Sequence, residues 1–238
     1  MVVLAAGRGS RLGALGDATP KWLLRVGART LADRQLAGIR AAGEAVASVS
    51  VVVGHAAEVI EDTLDGSVRV IRNPQFETRN NWWSVLLALR ELPQDGPVAI
   101  LNADLLIDPE QIASFLSGPR DDGLMAVDLE QRVTDESMKV ELRADGTIAK
   151  IGKVGIDAPA GEYVGMLMAQ GATLRAFRDQ LEAFTADPAC ENEWYEGAIG
   201  RGAGEGVPWR VWPVRSGGWV EIDDDRDLSA AEALGAAA

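Results

Sequence analysis

A chain of 238 residues with 47% hydrophobic content is long enough to bury a substantial core, as one large domain or a domain with a lobe. Its formal net charge of −13 argues against a nucleic-acid backbone or an anionic membrane surface as partner, and no apolar run is long enough to cross a bilayer. A single cysteine, Cys190, excludes an internal disulfide framework and a thiolate cluster, and a single histidine, His55, leaves histidine-based triads and multi-histidine metal sites little to work with, so carboxylates must carry any metal chemistry, with a hard ion such as Mg²⁺. The start "MVVLAAG" carries no charged leader or cleavage site, and a soluble, cytoplasmic protein is expected, with Cys190 an inert buried thiol.

Val2–Ala6 reads as an apolar strand that runs straight into the glycine-rich turn "GRGSRLG". The dinucleotide fingerprint fails there because Leu12 stands at the third glycine position, and a P-loop fails because no Gly-Lys-Ser/Thr follows. What remains is either an ordinary strand-to-helix turn or a loop whose Gly7 and Gly9 admit a ligand close to the backbone. In the second case Arg8, Arg11 and the turn's N–H groups can face phosphates. Proline at position 20 biases "DATPKWLL" toward an extended path, from which Lys21, one of only four lysines, can swing over a triphosphate.

Farther along, Leu31–Ala42 reads as a helix, Val49–Val53 as a strand ending at Gly54, Ala57–Leu64 as a short helix and Val68–Arg72 as a strand. In "NPQFETRNNWWSVLLAL" Ser84 is expected to cap a helix running to Leu92. Asn80 and Asn81 before it offer amides suited to a base edge or ribose, and Trp82 and Trp83 read mainly as core. Val98–Leu101 is a strand ending in "NADLL", which brings the Asp104 carboxylate out at the sheet's edge. This β-α-β-α order with continuous apolar strands implies a parallel sheet covered by helices on both faces, with Gly7, Gly54 and Asp104 at the strand ends where ligands collect.

After Asp104 the pattern changes. Asp108–Leu116 is a helix with Asp108 as cap and Pro109 at its first position. Leu124–Leu129, Met138–Leu142 and Ile148–Ile151 follow as strands of an inserted antiparallel lobe, with "ADG" at 144–146 as a hairpin turn. Tyr163–Ala169 restores a strand, Leu174–Phe184 a helix and Trp209–Val214 a strand, before "WVEIDDDRDL" and a short C-terminal helix. Alternation puts Glu221 and Asp223 on one face of an extended segment, so Asp104 and Asp223 can bracket one Mg²⁺; a solvated acidic turn at a helix start is the plainer reading. The whole is expected to be one domain, with a nucleotide-binding part at about 1–118 and an acceptor-binding part at about 119–238.

Taken together, "LAAGRGSRLG…TPKWLL", "LNADLL" and "WVEIDDDRDL" resemble the nucleotidyltransferases that activate sugar phosphates and related phosphorylated alcohols. The stretches "NPQFETRNNWWSVLLAL", "DESMKVEL", "IGK" and "GEYVGM" bring it nearer to the choline-phosphate and phosphonate cytidylyltransferases, and the resemblance covers nearly the whole chain. It implies a Rossmann-like (GT-A type) three-layer fold with a mixed, mainly parallel sheet. It also implies that Leu4, Ala5, Ala6, Gly7, Gly9 and Ser10, with Ala103, wrap the nucleotide, and that Asn80 and Ser84 lie by the base. Arg11 and Lys21 would neutralise charge on the triphosphate and at the reacting phosphorus, and Asp104 and Asp223 would hold Mg²⁺ with Glu221 close by. Lys139, Lys153, Glu162, Glu193, Trp194 and Tyr195 would meet the acceptor, the two aromatics offering a face to a quaternary amine. The chain departs from the family where Asn102-Ala103-Asp104 replaces the usual Gly-Asp and where Pro20-Lys21-Trp22 replaces lysine-proline-leucine.

The implied reaction joins a nucleoside monophosphate from a triphosphate, CTP by family likeness, to a small phosphate or phosphonate acceptor, releasing pyrophosphate. A sugar-1-phosphate nucleotidyltransferase, a GT-A glycosyltransferase and a non-catalytic nucleotide-binding regulator are the competing readings; a single acid near position 104, rather than Asp-x-Asp, weighs against the glycosyltransferase. Oligomeric state is not readable.

Overall fold

The computed structural model describes residues 1–94, 96–118 and 121–237. Two compact units divide the chain: Met1–Pro74, Leu101–Gly118 and Gly217–Ala238 form the first, Gln75–Ile100 and Pro119–Ser216 the second. The expected acceptor-binding half is therefore split, since its last stretch from Gly217 belongs with the N-terminal residues.

The first unit begins with β1 (Val2–Ala5), α1 (Gly13–Ala18), the short strands β2 (Arg25–Val26) and β3 (Arg29–Thr30), α2 (Leu31–Ala41), β4 (Val49–Val53), α3 (Ala57–Glu61) and β5 (Val68–Arg72). Valine-rich β1 and β4 pair in parallel from Val2↔Ser50 to Ala5↔Val53, and β4 pairs with β5 in the same sense, because both faces of these strands are covered. Helix α2 starts where the sequence predicts: Thr30 accepts a hydrogen bond from the Asp33 N–H while the Asp33 carboxylate accepts one from the Thr30 N–H, a capping box.

The chain then makes α4 (Asn81–Glu91) in the second unit and β6 (Val98–Asn102), whose first three residues belong to the second unit and whose last two belong to the first. Back in the first unit, β7 (Leu105–Ile107) leads to α5 (Pro109–Ser117), capped as expected by Asp108, whose carboxylate accepts from the Glu110 N–H. The second unit continues with β8 (Gly123–Asp128), β9 (Lys139–Leu142), β10 (Ile148–Gly152), β11 (Gly161–Ala169), α6 (Gly171–Phe184), α7 (Tyr195–Gly204) and β12 (Arg210–Pro213), and β13 (Trp219–Glu221) with α8 (Asp225–Ala237) completes the first.

Strand order is β6-β1-β4-β5 in the first unit and β10-β9-β11-β6 in the second, where β8 pairs antiparallel with β11 and parallel with β12. The result is an α/β fold on a mixed, mainly parallel sheet with extra antiparallel strands. The β9–β10 hairpin is antiparallel as expected, and its turn uses Gly146 at φ 79°. The starts of α4 and α6 differ from expectation, α6 beginning at Gly171 rather than Leu174, and α7 is a helix the sequence does not announce. Helix α4 begins at Asn81 with Asn80 as its cap, leaving Ser84 buried one turn inside, and α7 forms from the glycine-rich "YEGAIGRGAG", whose low propensity hides its amphipathic face. Among the described residues no helix is long and apolar enough to cross a membrane.

Candidate active site

In the first unit one group of charged side chains, Arg11, Lys21, Asp104, Glu221 and Asp223, converges. Beyond Ala5 the backbone enters a tight turn in which Gly9 adopts φ 67° and ψ 36°, the Leu12 N–H donates to the Gly9 carbonyl at 3.0 Å, and buried Leu12 anchors the loop to the core. Gly9 is required twice over: its φ is left-handed, and a Cβ there would stand 3.0 Å from the Lys21 side chain that lies across it. Gly16, in α1, serves the same loop from below, since a Cβ there would collide with the Gly9 carbonyl oxygen. Sequence reading missed this residue, because a glycine inside a short helix gives no hint of what lies against it.

Lys21 opens a 3-10 turn, Lys21–Leu23, directly after Pro20. Trp22 buries its ring and donates its indole N–H to the Gln35 side-chain carbonyl at 2.9 Å; the Gln35 amide in turn donates to the backbone carbonyls of Asn102 at 3.0 Å and Leu105 at 2.8 Å. A single buried glutamine thus fastens the lysine-bearing turn to the turn that bears Asp104. Nothing in the sequence marked Gln35 beyond a polar residue on an otherwise apolar helix face.

Asp104 and the C-terminal acids are brought together by a two-stranded ribbon. Strands β7 and β13 run antiparallel with Glu221 opposite Leu105, and the Ile222 N–H donates to the Asp104 carbonyl at 2.9 Å. Ile222 is fully buried, so Glu221 and Asp223 emerge on the opposite side, as alternation requires. One oxygen from each of Asp104, Glu221 and Asp223 lies within 4.8 Å of the others. The Lys21 ammonium bridges Asp104 Oδ2 at 3.1 Å and Asp223 Oδ1 at 2.6 Å, and Arg11 reaches Asp223 Oδ2 at 3.0 Å. Burial works against the Lys21 charge, but the Asp104 and Asp223 carboxylates outweigh it and raise its pKa, so the ammonium is held. The three carboxylates make a donor set of hard oxygens of the kind that suits Mg²⁺ or Mn²⁺, and the Lys21 and Arg11 cations pair with two of them. Arg8, by contrast, pairs with Asp17 at 3.1 Å on the surface.

Ala103 lies in the first unit, its N–H donating to the Leu4 carbonyl at 3.2 Å, and the candidates for the base and the acceptor lie in the second. Asn80 donates its side-chain amide to the Asn192 carbonyl at 3.1 Å, and Asn81 accepts from the Tyr195 N–H at 3.0 Å, so the starts of α4 and α7 are tied together. Trp82 is core, edge-on to Phe184, whereas Trp83 is half-buried with Arg79 and Arg90 over its ring. Lys139 donates to the backbone carbonyls of Asp135, Ser137 and Lys153, and Lys153 pairs with Glu136 at 3.3 Å while lying 5.4 Å from the Trp194 ring centre. Trp194 is exposed. Tyr195 is fully buried, its hydroxyl 2.9 Å from that of Tyr163, so the aromatic face expected of the pair is Trp194 alone. Burial pushes the Glu162 carboxyl above its ordinary pKa, against a Ser137 hydrogen bond that favours its charged form. Glu193 places its carboxylate over Gly197 in the first turn of α7.

Residues 1–196 match the MobA-like NTP transferase domain. The chain is 30% identical to the CMP-5'-(3-aminopropyl)phosphonate synthase of Streptomyces rubellomurinus over 97% of its own length but only 38% of that protein's. With the 2-aminoethylphosphonate cytidylyltransferase of Lancefieldella rimae identity is 27%, over 96% of this chain and 90% of the other. The structure of the CTP:phosphocholine cytidylyltransferase of Streptococcus pneumoniae superposes with a TM-score of 0.80 at 18% identity, covering 98% of this chain and 97% of that one. With its strand-end glycine loop, sheet and sequence in agreement, the chain belongs to the MobA-like NTP transferase domain family.

Proposed function

We propose that the protein is a Mg²⁺-dependent cytidylyltransferase that transfers CMP from CTP to a small phosphonate or phosphate acceptor and releases pyrophosphate. The observation that carries this reading is the convergence of Asp104, Glu221 and Asp223 on Lys21 and Arg11 beside the Gly7–Ser10 turn. In a protein of net charge −13 a triphosphate needs positive charge concentrated locally, which Lys21, Arg11 and a bound divalent ion would supply here.

An acceptor oxygen attacks the α-phosphorus, the bond from that phosphorus to the bridging oxygen breaks, and the electron pair leaves with pyrophosphate. Ionised phosphonates and phosphates are nucleophilic near neutral pH, so no protein base or nucleophile is needed and catalysis reduces to alignment and charge stabilisation. In this reading the N–H groups of the turn hold the phosphates, while Lys21 and Arg11 neutralise charge that grows as the P–O bond breaks. Asp104 and Asp223, with Glu221 beside them, would hold Mg²⁺, which when bound polarises phosphoryl oxygens as a Lewis acid. Asn80, Ser84 and Ala103 serve the nucleoside; Lys139, Lys153, Glu162, Glu193 and the exposed Trp194 serve the acceptor, with Tyr195 behind them. A cytoplasmic location belongs to the same reading.

The test is a matrix of the four nucleoside triphosphates against phosphocholine, 2-aminoethylphosphonate, other phosphonates and several sugar 1-phosphates, read as pyrophosphate release with Mg²⁺. Release confined to CTP with a phosphonate or phosphocholine is the expected result. Release with a sugar 1-phosphate instead replaces the acceptor class, and no release with any pair overturns the enzyme.

A further inference from the structure

Asp223 sits at the junction between β13 and α8, and it is anchored from both sides. From the strand side, the Ile222 N–H is held by the Asp104 carbonyl. From the helix side, Asp227 Oδ2 accepts from the Asp223 N–H at 2.9 Å and from the Asp224 N–H at 3.0 Å. Asp224 returns the bond, its Oδ1 accepting from the N–H groups of Arg226 at 2.7 Å and Asp227 at 3.1 Å, and its carbonyl accepting from Leu228. This is a capping box extended one residue upstream, so that the carboxylate three positions into the helix grips the main chain of Asp223 itself.

We infer that Asp227 is a positioning residue for the proposed metal site: it fixes the Asp223 backbone so that the Asp223 carboxylate meets those of Asp104 and Glu221. The inference rests on the reading of Asp223 as a metal ligand. Its geometric basis is that Asp223 must serve three neighbours at once, Lys21 through Oδ1, Arg11 through Oδ2 and the facing carboxylates. A side chain with two rotatable bonds can do so only if its own Cα is held. Asp225, exposed in the same helical turn, carries the same charge but accepts neither of these two bonds, which makes it the natural control.

The experiment titrates the full-length protein with Mn²⁺, without nucleotide, by following free Mn²⁺ in electron paramagnetic resonance, and measures melting in the same samples. Asp227→Ala should weaken Mn²⁺ binding about tenfold, the loss usual when a group orienting a metal ligand is removed. Asp227→Asn, which keeps one acceptor oxygen, should bind Mn²⁺ more tightly than Asp227→Ala, and Asp225→Asn should match wild type. Should the alanine variant be unfolded, Asp227→Glu decides the matter, because it keeps charge and capping capacity but displaces the carboxylate by one methylene; it too should weaken binding. Wild-type Mn²⁺ affinity in folded Asp227→Ala or Asp227→Glu overturns the inference, as does an equal loss in Asp225→Asn, which would mean a field effect of charge alone. Asp223→Asn in the same titration separates this failure from that of the functional reading: if it too binds Mn²⁺ like wild type, Asp223 is no ligand and both fall.

Discussion

The lysines of the two units are held in opposite ways. In the first, Lys21 is held by carboxylates 83 and 202 positions away in sequence, and the turns that carry these groups are clamped by buried polar contacts such as Gln35. In the second, Lys139 is satisfied by carbonyls no more than 14 positions away, and Lys153 by Glu136, itself 81% exposed. Long-range convergence of partly buried charge costs desolvation and survives only when the geometry is over-determined, whereas local, solvated pairs rearrange cheaply. The first pattern suits chemistry that must not move; the second suits recognition of a variable group.

The largest effects should therefore come from breaking the convergence. Asp104→Asn and Asp223→Asn are each expected to lower turnover about a thousandfold or more, since each removes several kcal/mol of charge stabilisation at the proposed metal site. Pyrophosphate release at saturating substrate measures this, and circular dichroism should show the fold retained. Near-normal turnover in either variant would dismiss that carboxylate. Lys21→Ala comes next: about a hundredfold loss in kcat with a smaller rise in the KM for nucleotide, if the ammonium acts on charge that develops in the transition state. A pure KM effect would instead make Lys21 a ground-state binder, and the two regions would then differ less than their geometry suggests.

What could be read from sequence follows the same division. The valine runs, the glycine loop, Lys21, Asp104 and the Glu221/Asp223 alternation were legible, because each is a local pattern with few physical interpretations. The start of α4 was misplaced at Ser84, since Asn80 and Ser84 are both good caps and only the bonds of Asn80 and Asn81 to residues 192 and 195 decide between them. Tyr195 looked like a ligand surface because burial of an aromatic beside an exposed tryptophan depends on what packs over it, here Tyr163. Gln35, Gly16 and Asp227 escaped notice for one reason. Their work is to hold another residue's backbone or loop, and their partners lie elsewhere in the fold or are main-chain atoms without sequence identity.

Gln35→Leu tests the clamp itself. The substitution removes the buried acceptor of the Trp22 indole N–H and the donor to the Asn102 and Leu105 carbonyls, and should destabilise the protein by about 1–3 kcal/mol in chemical denaturation. Because the same contacts set the distance between Lys21 and Asp104, turnover should fall as well, even well below the melting temperature. Stability lost with turnover intact would show that the two turns hold their places without it.

The smallest effect separates two carboxyl groups, one in each unit, by the sign of a pH dependence. In the first unit, hydrogen bonds from the Thr30 backbone and side chain hold Asp33 below the ordinary carboxylate value of 3.8. The unfolded chain then binds a proton more readily than the folded one, so this contribution is present above 3.8 and is lost as pH falls through the lower folded value. In the second unit, burial raises Glu162 above 4.5, and the folded chain keeps its proton where the unfolded chain has released it. Stability from this group is therefore full below 4.5 and declines as pH rises through the raised folded value. Denaturation midpoints measured from pH 3 to 8 should show Glu162→Gln flattening the decline on the neutral side and Asp33→Asn flattening the decline on the acid side. If both variants altered the same limb, burial at Glu162 would be too shallow to outweigh the Ser137 hydrogen bond and the nearby lysines, and its carboxylate would be free to meet an acceptor already ionised.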